Sequence, residues 1–289
     1  MTPTRLGAVG YLNARPLVHG LDRLPRFTIR YDVPSECARL LHEGSVDVGL
    51  IPSIEYVRGG PYRIAPGLAI ASRGPVASVA LYTTRAMADV RSIAMDTGSR
   101  TSVALVRVLC ERLYKIQPAI ELRGPDVCDM LAHSDAALII GDNALLLDHT
   151  AVRLPVQRRG DGKPDTAGHQ PRASSHQPFR IEKIDLGEAW MAMTGLPFVY
   201  ACWVGRPEAL DVDGVDRLQH ACTTGVANID AIARDYFPAS RPQQVIGAAY
   251  LRDNIKYHLG DEERAGLELF VRYAAETGVV PAADALRFY

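Results

Sequence analysis

The stretch FTIRYDVPSECARLLHEGSVDVGLIP, residues 27–52, contains two strand-like runs with a segment of helical period between them. The runs FTIRYDV and VDVGLIP are rich in the apolar, β-branched and aromatic residues that strands favour. Between them, Pro34 suits the first turn of a helix and Gly44 suits its end, so we expect a helix over 34–44. Its apolar face would carry Ala38, Leu40 and Leu41. A strand, a helix and a strand in this order predict an α/β fold with a mainly parallel sheet.

The same alternation of short apolar runs and helical segments continues along the chain. It repeats in SIAMD, TSVALVRVLCERLYKI, AIELR and AALIIGDNALLL, after a first group that ends near SVALYTT. A chain of 289 residues has room for about two domains with cores of their own. We therefore expect two αβ lobes. The first is discontinuous, with residues 1–83 and 198–289, and the second is inserted into it, with residues 84–197.

Two crossings of the chain would connect these lobes. The apolar strand at 197–204 would return the chain to the first lobe, whose sheet the helical tail from residue 208 would cover. We expect the crossings, and a hinge between the lobes, near 82–86 and 195–199. A cleft would lie where the lobes meet, and clefts between domains are preferred sites for small molecules.

Composition and charge limit the partners of this chain. Hydrophobic residues make up 47% and charged residues 22%, which is typical of a globular protein. A formal net charge of -1 provides no broad basic surface, so we expect no nucleic-acid partner. No stretch reaches the roughly 20 apolar residues of a membrane span, and MTPTRLGAVGYLNARPL lacks the features of a secretory signal. We expect a cytoplasmic protein without membrane contact, as a monomer or homodimer.

The sequence offers no sign of a metal or cofactor site. The five cysteines are an odd number without a C-x-x-C pair, so neither a disulfide framework nor a zinc site is indicated. Residues 155–183 collect Pro, Gly and basic residues without an apolar period, and we expect a mobile surface loop there. Its His169 and His176 lack carboxylate or thiol companions at ligand spacing. The chain also lacks a P-loop, a G-x-G-x-x-G after a strand, an H-E-x-x-H and a G-x-S-x-G.

Polar side chains follow several of the predicted strands, where ligands bind in open α/β sheets. Asn13 follows the first strand and either caps a short helix or reaches the cleft. Ser53 follows the third strand in IPSIEY, and Ser78 in GPVASVALY either lies at the passage between the lobes or packs locally. Gly141 and Asp142 end the strand in IIGDNAL. The glycine allows a close approach, and the aspartate is either a cleft carboxylate or a helix cap.

The stretch DTGSRTSVAL, residues 96–105, places several hydroxyls at the start of a helix. Ser99, Thr101 and Ser102 lie beside the free N–H groups of the helix that begins there, so they favour a carboxylate or phosphate. Arg100 either pairs with that anion or braces the two lobes. Because no obvious nucleophile or general base follows these strands, the residues alone predict a two-lobed protein that binds a small anion.

Six motifs carry a resemblance to a known family. AVGYLNARPL, VDVGLIPSIEY, GPVASVALY, SRTSVAL, GDNAL and DLGEAWMAMTGLPFVYACW follow one another between about residue 5 and residue 205. Together they resemble the chorismate dehydratases of the futalosine route to menaquinone. The resemblance implies the type II periplasmic-binding-protein fold, used as a cytoplasmic enzyme with substrate in the interdomain cleft and no metal or redox cofactor. The basic loop 155–183 departs from the family pattern and lies away from the motifs.

The resemblance also implies a reaction and roles for the site residues. Chorismate would lose water to give 3-[(1-carboxyvinyl)oxy]benzoate. Asn13 would contact the reacting face of the ring or its departing hydroxyl, and Ser78 would position the enolpyruvyl side. A substrate carboxylate would be held by Ser99, Thr101 and Ser102. Since Asn and Ser are poor bases, the proton acceptor would be either a carboxylate of chorismate itself or Asp142.

Two other functions fit the same fold. One is the sister enzyme of this route, which makes 1,4-dihydroxy-6-naphthoate, although the SRTS and TGLPFVYACW stretches favour the dehydratase. The other is a non-catalytic binder of a small anion. A transport receptor of that kind would carry an export signal and a sensor a helix-turn-helix region, and we identify neither pattern in this sequence. A catalytically inactive binder stays an open alternative.

Overall fold

The computed structural model describes residues 2–154, 180–282 and 284–289, and two β-sheets organise them. The strands of the first sheet are β1 (Thr4–Val9), β2 (Phe27–Asp32), β3 (Val48–Pro52), β4 (Arg63–Ile64), β5 (Ile70–Ser72) and β11 (Phe198–Gly205). Their order is β2-β1-β3-β11-β4, with β5 paired to β11. The strands of the second sheet are β6 (Val79–Thr83), β7 (Ser92–Asp96), β8 (Ala119–Arg123), β9 (Ala136–Ile140) and β10 (Glu182–Asp185). Their order is β10-β6-β9-β7-β8.

Both sheets are mixed, whereas the sequence predicts a mainly parallel sheet. β1 is parallel to β2 and β3, and β7 is parallel to β8 and β9. β11 runs antiparallel to β3, and β6 runs antiparallel to β9 and β10. β6 and β11 are the strands by which the chain enters one sheet from the other. They do not follow a helical crossover within their own sheet, so the rule that makes such strands parallel does not govern them.

The chain crosses between the sheets at residues 73–78 and again at residues 195–197. The second crossing falls within the predicted range 195–199. The first lies before the predicted range 82–86, because Val79–Thr83 already pairs with β9 and β10 in the second sheet. The predicted boundary after residue 83 therefore follows β6 instead of preceding it. The division into two lobes stays a prediction.

Ten α-helices connect or cover the strands in the described part of the chain. They are α1 (Pro34–Glu43), α2 (Ser53–Arg58), α3 (Thr101–Leu109), α4 (Val127–His133), α5 (Gly141–Leu145), α6 (Leu186–Thr194), α7 (Val212–Ala227), α8 (Ile229–Tyr236), α9 (Arg241–Ala249) and α10 (Asp261–Glu276). Short 3₁₀ helices span Leu12–Val18, Leu21–Arg23 and Met87–Asp89, and π-helical turns span Cys110–Tyr114 and Tyr250–Asn254. Within the described ranges, no helix combines the length and apolar character that crossing a bilayer requires.

Helix α1 shows how local sequence sets the element boundaries. Pro34 occupies the first turn, where its missing N–H costs no hydrogen bond, and Gly44 ends the helix with a φ of 79°. Cys37, Leu40 and Leu41 are buried against β3. The helix predicted over 34–44 is confirmed.

The predicted loop 155–183 extends too far at its C-terminal end. Residues 155–179, with His169 and His176, lie outside the described residues. Residues 182 and 183 belong to β10, where Glu182 and Lys183 pair with Thr83 and Tyr82 of β6. The edge of β6 supplies hydrogen-bonding partners for this polar segment, a tertiary contact that its own composition does not reveal.

The core of the molecule runs across both sheets. One large buried cluster includes Leu6 and Leu50 of the first sheet together with Leu81 and Leu138 of the second. A smaller cluster, which includes Tyr82 of β6, lies on the other face of the second sheet. Leu81 and Tyr82 point to opposite faces because side chains alternate along a strand. The second sheet is therefore covered on both faces, and one face shares its core with the first sheet.

Candidate functional site

A cleft of about 530 Å³, counting the space open at its mouth, lies between the two sheets. The carboxyl ends of β1, β3 and β9 reach it, as expected for a ligand site in open α/β sheets. The predicted site residues that line it are Asn13, Ser78, Ser99, Arg100, Thr101, Ser102 and Gly141. Ser53 and Asp142 are not among the lining residues. The cleft thus brings together polar groups from segments that are far apart in the sequence.

Asn13 and Ser78 meet at a buried tyrosine. The Asn13 Nδ2 donates to the Tyr250 hydroxyl at 3.1 Å, and the Ser78 Oγ lies 2.7 Å from the same hydroxyl. Asn13 Oδ1 is buried and has no hydrogen-bond partner in the described structure. No side chain caps the 3₁₀ helix Leu12–Val18, so the cap alternative for Asn13 is not observed. Leaving a buried acceptor without a partner costs free energy, so Asn13 Oδ1 is a candidate contact point for a bound molecule.

Tyr250 is the main residue of the site that sequence reasoning missed. Its ring is 2% exposed, and burial raises the pKa of its hydroxyl well above the usual range. The hydroxyl therefore stays protonated at neutral pH. Tyr250 accepts from Asn13 Nδ2, and the hydrogen bond between the Tyr250 and Ser78 hydroxyls permits either as the donor. When Tyr250 donates, the Ser78 proton is available to a ligand.

The opposite part of the cleft is the start of α3. No side chain caps this helix and its first turn contains no acidic residue, so nothing on the helix itself neutralises the positive end of its dipole. Thr101 and Ser102 of this first turn line the cleft. Ser99 and Ser102 are buried there and line the cleft. Arg100 is exposed and makes no ion pair with a carboxylate of the described residues. These donors suit a carboxylate, and the anion site predicted from the sequence stays a prediction.

Thr101 and Ser53 connect the two sheets behind this anion end. The Thr101 Oγ1 accepts from the Ile54 N–H at 3.2 Å and lies 3.4 Å from the Ser53 Oγ. Ser53 donates to the Val199 carbonyl oxygen at 2.8 Å. The hydroxyls of both residues are therefore engaged by α2, α3 and β11. They fix the start of α3 against the first sheet.

Asp142 is bound on both of its carboxylate oxygens. Oδ1 accepts from the Leu12 N–H at 3.2 Å, and Oδ2 accepts from the Tyr236 hydroxyl at 2.5 Å. Burial raises the pKa of Asp142, while these two donors oppose the shift. The carboxylate joins α5 to the segment that carries Asn13. Neither the cap nor the cleft position expected from sequence describes this contact.

Gly141 forms a tight contact with Tyr11 at the floor of the cleft. Its φ is 63°, a left-handed conformation that side chains other than glycine rarely adopt. A Cβ at this position would lie 2.7 Å from the Tyr11 ring. Burial is the main cause that raises the pKa of Tyr11 to about 12. Gly141 thus allows the tyrosine ring to pack directly on the backbone.

Apolar and aromatic groups form the remaining walls. They are Val9, Tyr11, Pro34, Pro52, Ile70, Val76, Val79, Ile140, Tyr200 and Ala201. Tyr11 directly precedes the Leu12–Val18 helix, and the Tyr200 hydroxyl lies 3.0 Å from the Ser72 Oγ. The sequence analysis does not predict Tyr11 or Tyr200 as site residues. Tyr11 lies in the motif AVGYLNARPL, and Tyr200 lies in DLGEAWMAMTGLPFVYACW. In the described part of the chain, no group of three or more His, Cys, Asp or Glu side chains could hold a metal ion.

The two sheets, the double crossing and the cleft define a periplasmic-binding-protein-like α/β protein. The periplasmic aliphatic sulphonate binding protein SsuA from Escherichia coli matches with a TM-score of 0.60 and 16% identity, over 99% of this chain and 96% of SsuA. A protein from Archaeoglobus fulgidus matches with a TM-score of 0.69 and 13% identity, over 96% and 99% of the two chains. Identities this low establish the fold alone.

Sequence relatives narrow this class to one family. Residues 4–276 match the family model described as menaquinone biosynthesis. The chain is also 32% identical to the chorismate dehydratase of Thermus thermophilus over 276 residues, which covers 93% of this chain and 94% of the relative. The chain belongs to the menaquinone biosynthesis family, so the resemblance identified from the sequence motifs is confirmed.

Proposed function

We propose that the protein is a chorismate dehydratase, a hydro-lyase that forms 3-[(1-carboxyvinyl)oxy]benzoate in the futalosine route to menaquinone. The observation that carries the proposal is that one cleft holds the Asn13–Tyr250–Ser78 network and the uncapped start of α3. The similarity to the Thermus thermophilus chorismate dehydratase supports the same reaction. Cytoplasmic location and a monomeric or homodimeric state stay predictions.

The reaction breaks two bonds of chorismate and forms one. The C3–H bond releases a proton, the C4–O bond releases the hydroxyl, and the new C3=C4 double bond completes an aromatic ring. Proton and hydroxyl leave together as one water. Because the aromatic product is strongly favoured, the protein has to orient the substrate and assist the two departing groups, and positioned acid–base groups contribute about 10²- to 10⁴-fold.

The charged end of the substrate would bind at α3. A carboxylate there would accept from the Ser99 and Ser102 hydroxyls and from free backbone N–H groups, with Arg100 at the rim. A hydrogen bond to a charged group contributes about 1.5–3 kcal/mol. This anchoring would place the ring against the apolar wall and its reacting carbons near Asn13 and Ser78.

The reacting end would then face the tyrosine network. Ser78 would donate to the enolpyruvyl side, and Asn13 Oδ1 would orient the C4 hydroxyl of bound substrate by accepting a hydrogen bond from it. Tyr250 would fix both side chains, and its raised pKa keeps it a donor instead of a base. Since Asp142 is occupied by Leu12 and Tyr236, the proton acceptor in this proposal is a carboxylate of chorismate itself. The resulting carboxyl group would pass this proton to the departing C4 hydroxyl, which leaves as water, and the substrate carboxylate is restored.

Purified protein mixed with chorismate, without added metal or cofactor, tests this function. Ultraviolet spectra and mass spectrometry of the product should show catalytic formation of a species lighter by one water. Ser78→Ala and Asn13→Ala should each lower kcat by about 10²-fold or more. Ser45→Ala changes an exposed serine between α1 and β3. It is the matched control and should keep wild-type turnover. Chorismate that binds without reacting would instead indicate a non-catalytic binder.

A further inference from the structure

We propose that Asp185 and Lys183 are positioning residues that hold the backbone of Ala77 in a left-handed conformation and thereby aim Ser78 into the cleft. This inference rests on the proposed function, because that function places Ser78 beside the substrate. It concerns the first crossing, residues 73–78, and the strand β10 that runs beside it. Neither Asp185 nor Lys183 lines the cleft.

The backbone at Ala77 is in a conformation that alanine disfavours. Its φ is 65°, and Lys115 is the other non-glycine residue with a positive φ in the described ranges. The left-handed region brings Cβ too close to the following carbonyl oxygen. Such a conformation persists when surrounding contacts enforce it, and it occurs often at functional sites. The residue that follows Ala77 is Ser78.

Side chains of β10 supply the enforcing contacts. The Ala77 N–H donates to Asp185 Oδ2 at 2.7 Å, and the Val76 N–H lies 3.0 Å from Oδ1 and 3.1 Å from Oδ2. The Ala77 carbonyl oxygen accepts from Lys183 Nζ at 2.9 Å. Both backbone polar groups of Ala77 are therefore bound by side chains of one neighbouring strand.

Asp185 is itself fixed in place by α6. Its Oδ1 also accepts from the N–H groups of Gly187 at 2.9 Å and Glu188 at 3.1 Å, so the same carboxylate caps this helix. A Cβ at Gly187 would collide with the Gly74 carbonyl oxygen, which shows how closely the start of α6 approaches the crossing. The carboxylate thus ties the crossing backbone to a helix start that cannot move independently of it.

The conformation of Ala77 sets the direction of the Ser78 side chain. The turn at Ala77 lets the Ser78 N–H donate to the Val76 carbonyl oxygen at 2.8 Å and brings Ser78 Oγ to the Tyr250 hydroxyl at 2.7 Å. A change of Ala77 to the ordinary right-handed region would reorient the peptide that leads into Ser78. The Ser78 hydroxyl would then no longer contact the Tyr250 hydroxyl, and it would no longer line the cleft.

Asp185→Asn tests the inference, because an amide presents N–H groups where Oδ2 now accepts. We expect kcat for chorismate to fall by about 10- to 100-fold, as a misplacement of about 1 Å can cost 10²-fold, while KM stays within about twofold. Adding Ala77→Gly should restore most of kcat, since glycine adopts the left-handed conformation without help. Asp126→Asn is the matched control, because Asp126 caps α4 through the Asp129 N–H but does not line the cleft. It should leave kcat unchanged, because asparagine caps a helix about as well as aspartate.

Several results would overturn the inference, and a second variant is available if the first does not fold. Wild-type kcat in Asp185→Asn would overturn it, as would a reduced kcat that Ala77→Gly leaves unchanged. If Asp185→Asn does not fold, Lys183→Met leaves the α6 cap intact, and it should lower kcat several-fold at unchanged KM. Unchanged kcat there would overturn the inference. Failure of the wild type to convert chorismate would refute the proposed function instead. The φ of Ala77 in crystal structures of wild type and Asp185→Asn would still decide the positioning role.

Discussion

Replacing Gly141 with alanine measures how much the tight contact at the floor of the cleft constrains the protein. The left-handed φ of 63° costs an alanine about 1–2 kcal/mol of folding free energy. The new Cβ would lie 2.7 Å from the Tyr11 ring, and overpacking of this kind costs about 1–3 kcal/mol. We therefore expect Gly141→Ala to lower the free energy of unfolding by about 2–5 kcal/mol.

Gly278→Ala separates the two contributions. Gly278 has a φ of 69°, and a Cβ there would meet nothing within 4 Å, so this control carries the backbone cost alone. Urea unfolding of both variants should give a loss about 1–3 kcal/mol greater for Gly141→Ala. Its chorismate turnover should also fall, because a displaced Tyr11 alters the cleft wall. Equal losses of stability in the two variants would refute the collision with Tyr11.

Three further predictions concern the buried polar groups. Tyr250→Phe should lower kcat by about tenfold or more, since loss of its hydroxyl removes the partner of the buried Asn13 Nδ2 and Ser78 Oγ. Tyr82→Phe changes a buried tyrosine that donates to a backbone carbonyl, and it should leave steady-state turnover unchanged. Asp142→Asn should keep turnover within a few-fold across pH, because the amide can still bind the Leu12 N–H and the Tyr236 hydroxyl. Loss of turnover with retained chorismate binding would instead make Asp142 the proton acceptor. Burial raises the pKa of Asp96, so its charged form opposes folding above that pKa. In urea unfolding from about pH 4 to about pH 8, Asp96→Asn should gain stability over wild type as pH rises, and a gain that shrinks with rising pH would contradict this sign.

Much of the anion end could be predicted from sequence because local rules determine it. A strand followed by hydroxyls at a helix start places Ser99 and Ser102 at a strand exit, and the structure has them in the cleft. Pro34 and Gly44 set the ends of α1 in the same local way. These signals need only neighbouring residues, so a single sequence contains them.

The parts of the site and fold that the sequence does not predict depend on contacts between distant segments of the chain. Tyr250 lies 172 residues after Ser78 in a helical tail, and no spacing rule connects the two. The sequence predicts Asp142 as a cap or a cleft carboxylate, because its actual partners, Leu12 and Tyr236, belong to distant segments. The direction of β6 and β11 depends on which sheet each strand enters. For the same reason, the predicted first crossing lies too late in the chain. Neighbouring residues in the sequence are enough to predict where a helix starts and which polar groups follow a strand. They do not determine which distant segments pair with one another.

The interior position of β11 in the first sheet has a consequence for synthesis on the ribosome. β3 is apolar and fully buried, and the edge that β11 covers in the finished protein belongs to a strand made about 150 residues earlier. Until residues 198–205 emerge, that edge offers unpaired N–H and C=O groups beside apolar side chains, the kind of surface that promotes aggregation. We therefore expect the nascent chain to be prone to aggregation until β11 is made. Slow translation between β3 and β11 should reduce the yield of folded protein without any change in sequence.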